Sequence, residues 1–283
     1  MGADLFEPSI RGVIDAKSLK VGRGVVVEED VVITGKGGPA DEVILGDFCF
    51  VGRGTRILAP RFRIGDYSKW NANGFGHGEG ALQIGRNCWV GGNVVLDSMG
   101  GLTIDDNVGI GAHSQLWTHI QFGDVVEGCR FFSRKPMHVG KDAWFVGHCI
   151  VSPVRVGERA MAMVGSVIVK DMEANHVYAG VPAKDVTERM GPQFETLDVE
   201  EKARRMRAKI EEFVRQRPEF DGRFRVVTSP SEVDDRACCF DVSTRTYNKR
   251  YDEAEVAFLK ATVPLVKFSP IGEDEFVERA SDV

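Results

Sequence analysis

Two histidines in one short segment have the residue types and the spacing for proton transfer. His113 and His119 lie six residues apart in segment 111–119. A neutral imidazole can take a proton from a hydroxyl or an amine near neutral pH, and such base catalysis is typically worth about 10²–10⁴-fold in rate. His119 lies where a regular pattern ends and a longer insertion begins, so we expect its ring to project into a crevice. We interpret His113, inside the pattern, as structural or as a substrate contact.

The pattern around these histidines is a six-residue repeat that starts with an apolar residue, often followed by Gly. Five separate two-repeat runs begin at Val51, Ile84, Ile104, Val139 and Val156. Side chains alternate along a strand, so the apolar residue points inward, and Gly permits the backbone angles of a corner. Three such strands close a triangular coil. Coils stacked roughly 4.8 Å apart bury the apolar face that a single coil leaves exposed.

This repeat resembles the hexapeptide repeat of left-handed parallel β-helix proteins over residues 13–187. A Gly-rich stretch, 73–80, interrupts the rhythm, as does the longer break 119–138. The resemblance implies the left hand of the coil and a mainly β fold with a left-handed parallel β-helix. After it, the apolar spacing of residues 196–217 predicts a helix, and residues 222–283 read as a small α/β unit. We predict the β-helix domain over 1–190, a linker helix over 191–221 and the α/β unit over 222–283.

The composition excludes several other classes of protein. Hydrophobic residues make up 43% of the chain and charged residues 28%, which is typical of a globular protein and not of a disordered one. The net charge of −6 gives no electrostatic support for nucleic-acid binding. The sequence has neither an 18-residue apolar stretch nor an N-terminal secretory signal, and its six cysteines form no CxxC pair. We therefore expect a cytoplasmic protein with reduced thiols and no membrane span.

The segment 111–119 resembles the G-x-H-(x)5-H segment of maltose and galactoside O-acetyltransferases, which are hexapeptide-repeat acyltransferases. In that family the second histidine is the catalytic base, so the resemblance implies this role for His119. It also implies acetyl transfer from acetyl-CoA to a hydroxyl or amine of a sugar or nucleotide-linked sugar, as in polysaccharide biosynthesis. The implied assembly is a homotrimer with each site in the cleft between two β-helices. No metal is expected to be required.

The C-terminal repeats, 162–171 and 179–184, resemble the end-of-helix signature of acetyl-CoA-dependent members. In that family the last coils form one wall of a groove for the pantetheine arm, and a Trp lines the same groove. Lysines near the end of the groove can meet phosphates as point charges. The resemblance implies cofactor contacts from Trp144, Gly147, Val164, Gly165, Lys170 and Lys184.

Two polar residues, Asn93 and Asp97, lie on the coil before His119. In the O-acetyltransferases, Asn and Asp at comparable places bind the sugar, so the resemblance implies that Asn93 and Asp97 contact the acceptor. A second role for Asp97, as a turn cap before Gly100 and Gly101, stays open.

Two other functions compete with acyl transfer. A γ-carbonic-anhydrase-like metal enzyme needs three histidines from neighbouring subunits in a motif that resembles I-G-H-(x)4-H-G. Residues 146–148 start this motif with His148, but the fifth residue after it is Pro153, which cannot bind a metal. The second alternative is a non-catalytic β-helix scaffold that only assembles partners.

Overall fold

The structure, a computed structural model, describes residues 5–272 and the backbone of the strand 277–279. It divides into two compact units. The first ends at Phe194 and also includes the strand 277–279, and the second begins at Glu195. Among the described residues, no helix is long and apolar enough to cross a membrane.

The first unit consists of short strands that follow one another along the chain. The first nine are β1 (Ser9–Ile10), β2 (Val13–Ile14), β3 (Leu19–Val21), β4 (Val26–Val27), β5 (Val32–Thr34), β6 (Glu42–Leu45), β7 (Phe50–Val51), β8 (Arg56–Leu58) and β9 (Arg61–Ile64). The next nine are β10 (Lys69–Trp70), β11 (Phe75–His77), β12 (Leu82–Ile84), β13 (Trp89–Val90), β14 (Val95–Asp97), β15 (Leu102–Ile104), β16 (Gly109–Ile110), β17 (Gln115–Leu116) and β18 (His119–Gln121). The last nine are β19 (Phe132–Arg134), β20 (Met137–Val139), β21 (Trp144–Phe145), β22 (Ile150–Val151), β23 (Arg155–Val156), β24 (Met161–Ala162), β25 (Val167–Ile168), β26 (Val177–Gly180) and β27 (Ala183–Asp185), before the short helix α1 (Thr187–Met190).

Successive strands occupy three sheets in turn, which confirms the predicted parallel β-helix. Sheet 1 has the order β1-β4-β7-β10-β13-β16-β21-β24-β26-β27, and sheet 2 the order β2-β5-β8-β11-β14-β17-β22-β25. Sheet 3 runs from β23 through β20, β15, β12, β9 and β6 to β3. Neighbouring coils pair in parallel, as Phe75 with Val95 and Val95 with Gln115, so each of these two coils takes 20 residues. We call the turn from sheet 1 to sheet 2 the first corner and the turn from sheet 2 to sheet 3 the second corner.

The sequence suggested that the Gly-rich stretch 73–80 interrupts the coil, but the structure shows a continuous coil there. Its strand β11 pairs in register with β8 and β14. The fully buried Trp70 fills the inside of this coil, and a Cβ at Gly76 would lie 2.8 Å from the indole atom Cη2. A Cβ at Gly74 would lie even closer to the same indole, 2.1 Å from its Nε1 atom. The glycines are therefore required to make room for one large interior side chain.

The second unit is a small α/β unit. It contains α2 (Val199–Gln216), β28 (Phe224–Val227), β29 (Cys238–Asp241), β30 (Thr246–Tyr247), α3 (Glu253–Thr262) and β31 (Ser269–Pro270). Its four strands form one sheet in the order β28-β29-β30-β31. The Phe213 ring of α2 packs against Phe224 and Phe258, with centroids 5.9 and 5.3 Å away.

The structure places two segments differently from the predicted boundaries. The segment 191–221, predicted as a linker, contributes α2 to the core of the second unit, because Phe213 is buried there. The last strand, β32 (Val277–Arg279), pairs antiparallel with β3 in the first unit. The rest of the predicted C-terminal segment, 273–276 and 280–283, lies outside the described residues.

Candidate functional site

A β-hairpin leaves the β-helix at the second corner and carries His119 at its base. Gln115 pairs with Ile150, 35 residues later, because β18 and β19 are inserted into this coil as an antiparallel pair. His119 is the first residue of the hairpin and lies opposite Arg134. The Lys135 N–H donates to the Thr118 carbonyl (3.0 Å), which closes the base of the hairpin. The regular coil therefore holds the backbone on both sides of His119.

Asp97 lies beneath His119 at the end of β14, with a fully buried side chain. Its Oδ2 is 2.8 Å from His119 Nδ1. The same oxygen accepts hydrogen bonds from the Thr118 N–H (2.7 Å) and the Thr118 hydroxyl (2.6 Å). Its Oδ1 accepts from the Met99 N–H at 3.2 Å. All these partners are protein groups, so the structure places Asp97 under the imidazole, and its contact with an acceptor stays a prediction from the resemblance.

The electrostatics of Asp97 determine which nitrogen of His119 carries the proton. Burial is the largest influence on the pKa of Asp97 and raises it, but the hydrogen bonds from Thr118, His119 and Met99 together outweigh burial and lower the pKa. Asp97 is therefore a carboxylate at neutral pH and can only accept from Nδ1. The neutral His119 ring then has its hydrogen on Nδ1 and a lone pair on Nε2. With 21% of its side chain exposed, His119 can offer this lone pair to a ligand.

Three further aromatic residues surround the pair on the outer face of sheet 2. His77 occupies the position of Asp97 on the preceding coil, and Trp117 occupies it on the following coil. The His77 ring stacks on Phe75 with a centroid distance of 4.8 Å and meets the edges of Trp117 and His119 at 6.4 and 6.5 Å. Burial is the main cause that lowers the pKa of His77, so His77 is neutral at pH 7.

Neither His77 nor Trp117 was predicted from the sequence as a site residue. A signal for them exists, because His77 and Trp117 each lie 20 residues from Asp97, which is one coil. This spacing was not recognised because His77 lies in the Gly-rich stretch 73–80, which was interpreted as a break in the repeat.

Charged residues form a rim beside the histidines. Arg134 binds Glu79 through Nη1 (2.8 Å) and the Met99 carbonyl through Nε (2.6 Å). Lys36 Nζ lies 3.2 Å from the other oxygen of Glu79. Glu79 alone leaves these three side chains with a formal charge of +1, and the Asp97 carboxylate beside them balances it.

Asn93 is not brought to His119. It lies at the first corner, with φ of +56°, at the end of β14 opposite to Asp97. There it stands in a column of corner residues with positive φ, which continues with His113 on the next coil and His148 on the coil after that. The rings of His113 and His148 stack with a centroid distance of 4.8 Å, which agrees with a structural role for His113.

The predicted cofactor residues lie on the last coils but at different edges. Trp144 points outward from sheet 1 and is 45% exposed. Gly147, Val164 and Gly165 lie together at the first corner, where the Gly165 N–H donates to the Gly147 carbonyl (2.9 Å). Val164 is exposed, and a Cβ at Gly165 would meet no atom within 4 Å. These features provide an open, partly apolar strip along the corner.

The two predicted lysines are both exposed and lie apart from that strip. Lys170 follows β25 at the second corner, the same corner as His119, and Lys184 lies on β27. Within one chain, the first-corner strip and His119 are therefore on different edges of the coil.

No metal site is apparent in the part of the chain that the structure describes. Within residues 5–272, no group of three or more His, Cys, Asp or Glu side chains could hold a metal ion. His148, which begins the metal-binding motif considered above, instead stacks on His113.

Comparison with known proteins finds local sequence similarity to acetyltransferases. No protein-family model matches the chain. The chain is 29% identical over 110 residues to galactoside O-acetyltransferase of Escherichia coli K12, a match that covers 38% of this chain and 54% of that protein. It is 40% identical over 52 residues to SACOL2570 of Staphylococcus aureus, a predicted acetyltransferase, with 18% of this chain and 26% of that protein covered. The chain thus spans about half, or less, of the curated relatives it matches.

Solved structures with similar chain traces are also hexapeptide-repeat or related acyltransferases. One is the acetyltransferase VCA0836 of Vibrio cholerae in complex with acetyl coenzyme A, with 21% identity, a TM-score of 0.36 and coverage of 50% of this chain and 68% of that one. Another is the UDP-N-acetylglucosamine acyltransferase of Campylobacter jejuni, with 16% identity, a TM-score of 0.45 and coverage of 67% and 79%.

Proposed function

We propose that this protein is an acetyl-CoA-dependent acyltransferase that acetylates a hydroxyl or an amine of a sugar or nucleotide-linked sugar, with His119 as general base. The observation that carries the proposal is the 2.8 Å contact between His119 Nδ1 and the buried Asp97 carboxylate, which leaves Nε2 free to accept a proton. The local similarity to galactoside O-acetyltransferase supports the same activity.

In the proposed reaction, His119 Nε2 takes the proton of the acceptor hydroxyl while the hydroxyl oxygen attacks the thioester carbon of acetyl-CoA. The new C–O bond forms, the C–S bond breaks, and the proton passes from His119 to the departing thiolate. Asp97 orients the imidazole and stabilises its protonated form, as a carboxylate does in other acid–base pairs. We therefore assign Asp97 to positioning His119 and not to acceptor binding.

The cofactor would lie along the last coils. The exposed Val164 and the open space at Gly165 suit the slender pantetheine arm, and Trp144 offers an exposed apolar wall. Lys170 and Lys184 are free to approach phosphates as exposed cations.

We further propose that the protein is a homotrimer. The first-corner strip and His119 lie on different edges of one chain, so a cleft between two β-helices can join them. In that cleft, His119 and Lys170 of one protomer would face Trp144, Gly147 and Gly165 of its partner. The hairpin next to His119 exposes several apolar side chains, which supports burial against a partner.

The substitution His119→Ala tests the assignment of the base. We expect kcat/KM for acetyl transfer to a sugar to fall about 10²–10⁴-fold, with CoA affinity and oligomeric mass unchanged. His138→Ala is the matched control, because His138 is exposed and pairs with Asp105 on sheet 3, at a contact of 2.9 Å. Near-wild-type turnover in His119→Ala would reject the assignment.

Labelled acetyl-CoA distinguishes the competing functions. Transfer of label to a sugar supports the acyltransferase. Zinc-dependent hydration of carbon dioxide without transfer supports a γ-carbonic-anhydrase-like enzyme. The absence of both activities supports a scaffold.

A further inference from the structure

His77 stands beside the His119–Asp97 pair without being part of it. Its Nδ1 lies 3.9 Å from Asp97 Oδ1, which is beyond hydrogen-bonding distance. Among the described residues, neither ring nitrogen of His77 has a hydrogen bond, although a quarter of the side chain is exposed. The nitrogens of His77 are therefore available to a ligand.

Aromatic packing fixes the orientation of this ring. Phe75 stacks on one face at a centroid distance of 4.8 Å and an angle of 23°. The edge contacts with Trp117 and His119 hold the ring from the other sides. A side chain fixed in this way loses little conformational entropy when it binds a ligand.

The charge state of His77 suits a hydroxyl ligand. Because burial lowers its pKa, the ring is neutral at pH 7 and has one donor and one acceptor nitrogen. It can therefore bond a hydroxyl in either direction. The cations nearby, Lys36 and Arg134, both contact Glu79, and the carboxylates of Glu79 and Asp97 together balance their charge, so an anionic ligand would have to compete with Glu79. The surroundings thus favour an uncharged polyhydroxylated molecule.

We propose that His77 is an acceptor-binding residue that hydrogen-bonds a second hydroxyl of the sugar whose first hydroxyl faces His119 Nε2. The rings of His77 and His119 are 6.5 Å apart and nearly perpendicular, at 89°, so two hydroxyls of one sugar ring can each reach one imidazole. This inference rests on the proposed acetyltransferase function and identifies its acceptor as an uncharged sugar with at least two neighbouring hydroxyls.

The variants His77→Phe and His77→Asn test the proposal with methyl β-galactopyranoside and maltose as acceptors. Phe keeps the ring packing but removes the hydrogen bond, so we expect the KM for the sugar to rise about tenfold. Asn keeps a donor and an acceptor, so the rise should be smaller. The KM for acetyl-CoA should not change in either variant, and His138→Phe should change neither constant.

Monodeoxy analogues of the better acceptor provide a second readout. One analogue should raise the KM of the wild-type enzyme about tenfold and leave that of His77→Phe unchanged, because the variant has already lost the contact. An unchanged sugar KM in His77→Phe, or an additive loss with every deoxy sugar, would overturn the role of His77 while His119→Ala could still support the acetyltransferase. A wild-type enzyme that acetylates neither sugar would instead refute the acceptor class on which the inference rests.

Discussion

Asp97 and His119 form a hydrogen-bonded pair because a buried carboxylate needs compensating hydrogen bonds. Asp97 obtains four of them, from His119, the Met99 N–H, and the N–H and hydroxyl of Thr118. The Thr118 hydroxyl also accepts from the Gly100 N–H at 2.9 Å, so the turn after β14 is tied to the base of the hairpin. The same contacts that satisfy the carboxylate therefore hold the imidazole in one tautomer.

The substitution Asp97→Asn should reduce kcat by about 10²–10⁴-fold, because the amide can donate to Nδ1 and so favour the wrong tautomer of His119. Steady-state kinetics at pH 7.5 measure the effect, with thermal unfolding to verify that the variant folds. Asp105→Asn is the matched control, since Asp105 pairs with the exposed His138 outside the site. A kcat within twofold of wild type in Asp97→Asn would show that the carboxylate does not set the tautomer.

At the scale of elements, α3 begins with a capping arrangement that contains a buried acid. The Asp252 side chain accepts from the Glu255 N–H (2.8 Å), and Glu255 Oε2 accepts from the Arg250 N–H (2.6 Å). The other oxygen of Glu255 is buried without a hydrogen bond among the described residues. Burial is the main cause that raises the pKa of Glu255 to about 7.

This arrangement makes the stability of the second unit depend on pH. The pKa of Glu255 is higher in the folded than in the unfolded chain. The contribution of protonated Glu255 to the free energy of unfolding is therefore full below about pH 4.5 and is lost as the pH rises to about 7. The loss amounts to roughly 3 kcal/mol at most. We expect Glu255→Gln to reduce the fall in the free energy of unfolding between pH 5 and pH 8.

Urea unfolding followed by circular dichroism at 222 nm measures this effect, because α2 and α3, the two long helices, both belong to the second unit. Glu253→Gln is the control, since Glu253 is an exposed acid in the same helical turn. Equal pH dependence in Glu255→Gln and the wild type would contradict the prediction.

At the scale of the whole molecule, the β-helix separates the proposed base from most of the residues that are proposed to bind the cofactor. One coil has three edges, and of the residues proposed to bind the cofactor only Lys170 lies at the edge of His119. The hairpin that begins at His119 exposes large apolar side chains, among them Phe122 and Val126. A partner protomer would both complete the site and cover these side chains.

The double variant Phe122→Ser, Val126→Ser should therefore weaken the trimer. Sedimentation velocity should give the wild type three times the mass of the 31.2 kDa chain and should shift the variant toward the monomer, with a parallel loss of activity. Leu265→Ser, at another exposed apolar residue, is the control. A variant that remains trimeric would exclude the hairpin from the interface, and a monomeric wild type would exclude the trimer.

The sequence alone was sufficient to predict the β-helix, because its cause is local. Each six-residue repeat specifies one inward apolar side chain and one corner, as Leu96 and Leu116 show by their complete burial. The sequence also singled out His119 as a candidate, since a histidine at the point where the repeat ends is visible along the chain. The coil around Trp70 could not be predicted from the sequence, because nothing local shows that Gly74 and Gly76 make room for an indole.

Only the tertiary structure decided what surrounds His119. Asp97 and Asn93 are four residues apart and looked equivalent in the sequence, yet the strand between them places one under the imidazole and the other at a different corner. His77 joins the group through the pairing of coils, 42 residues before His119. The physical reason is that a repeat determines the shape of each coil from neighbouring residues, whereas the chemistry depends on which side chains the stacking of coils brings into contact.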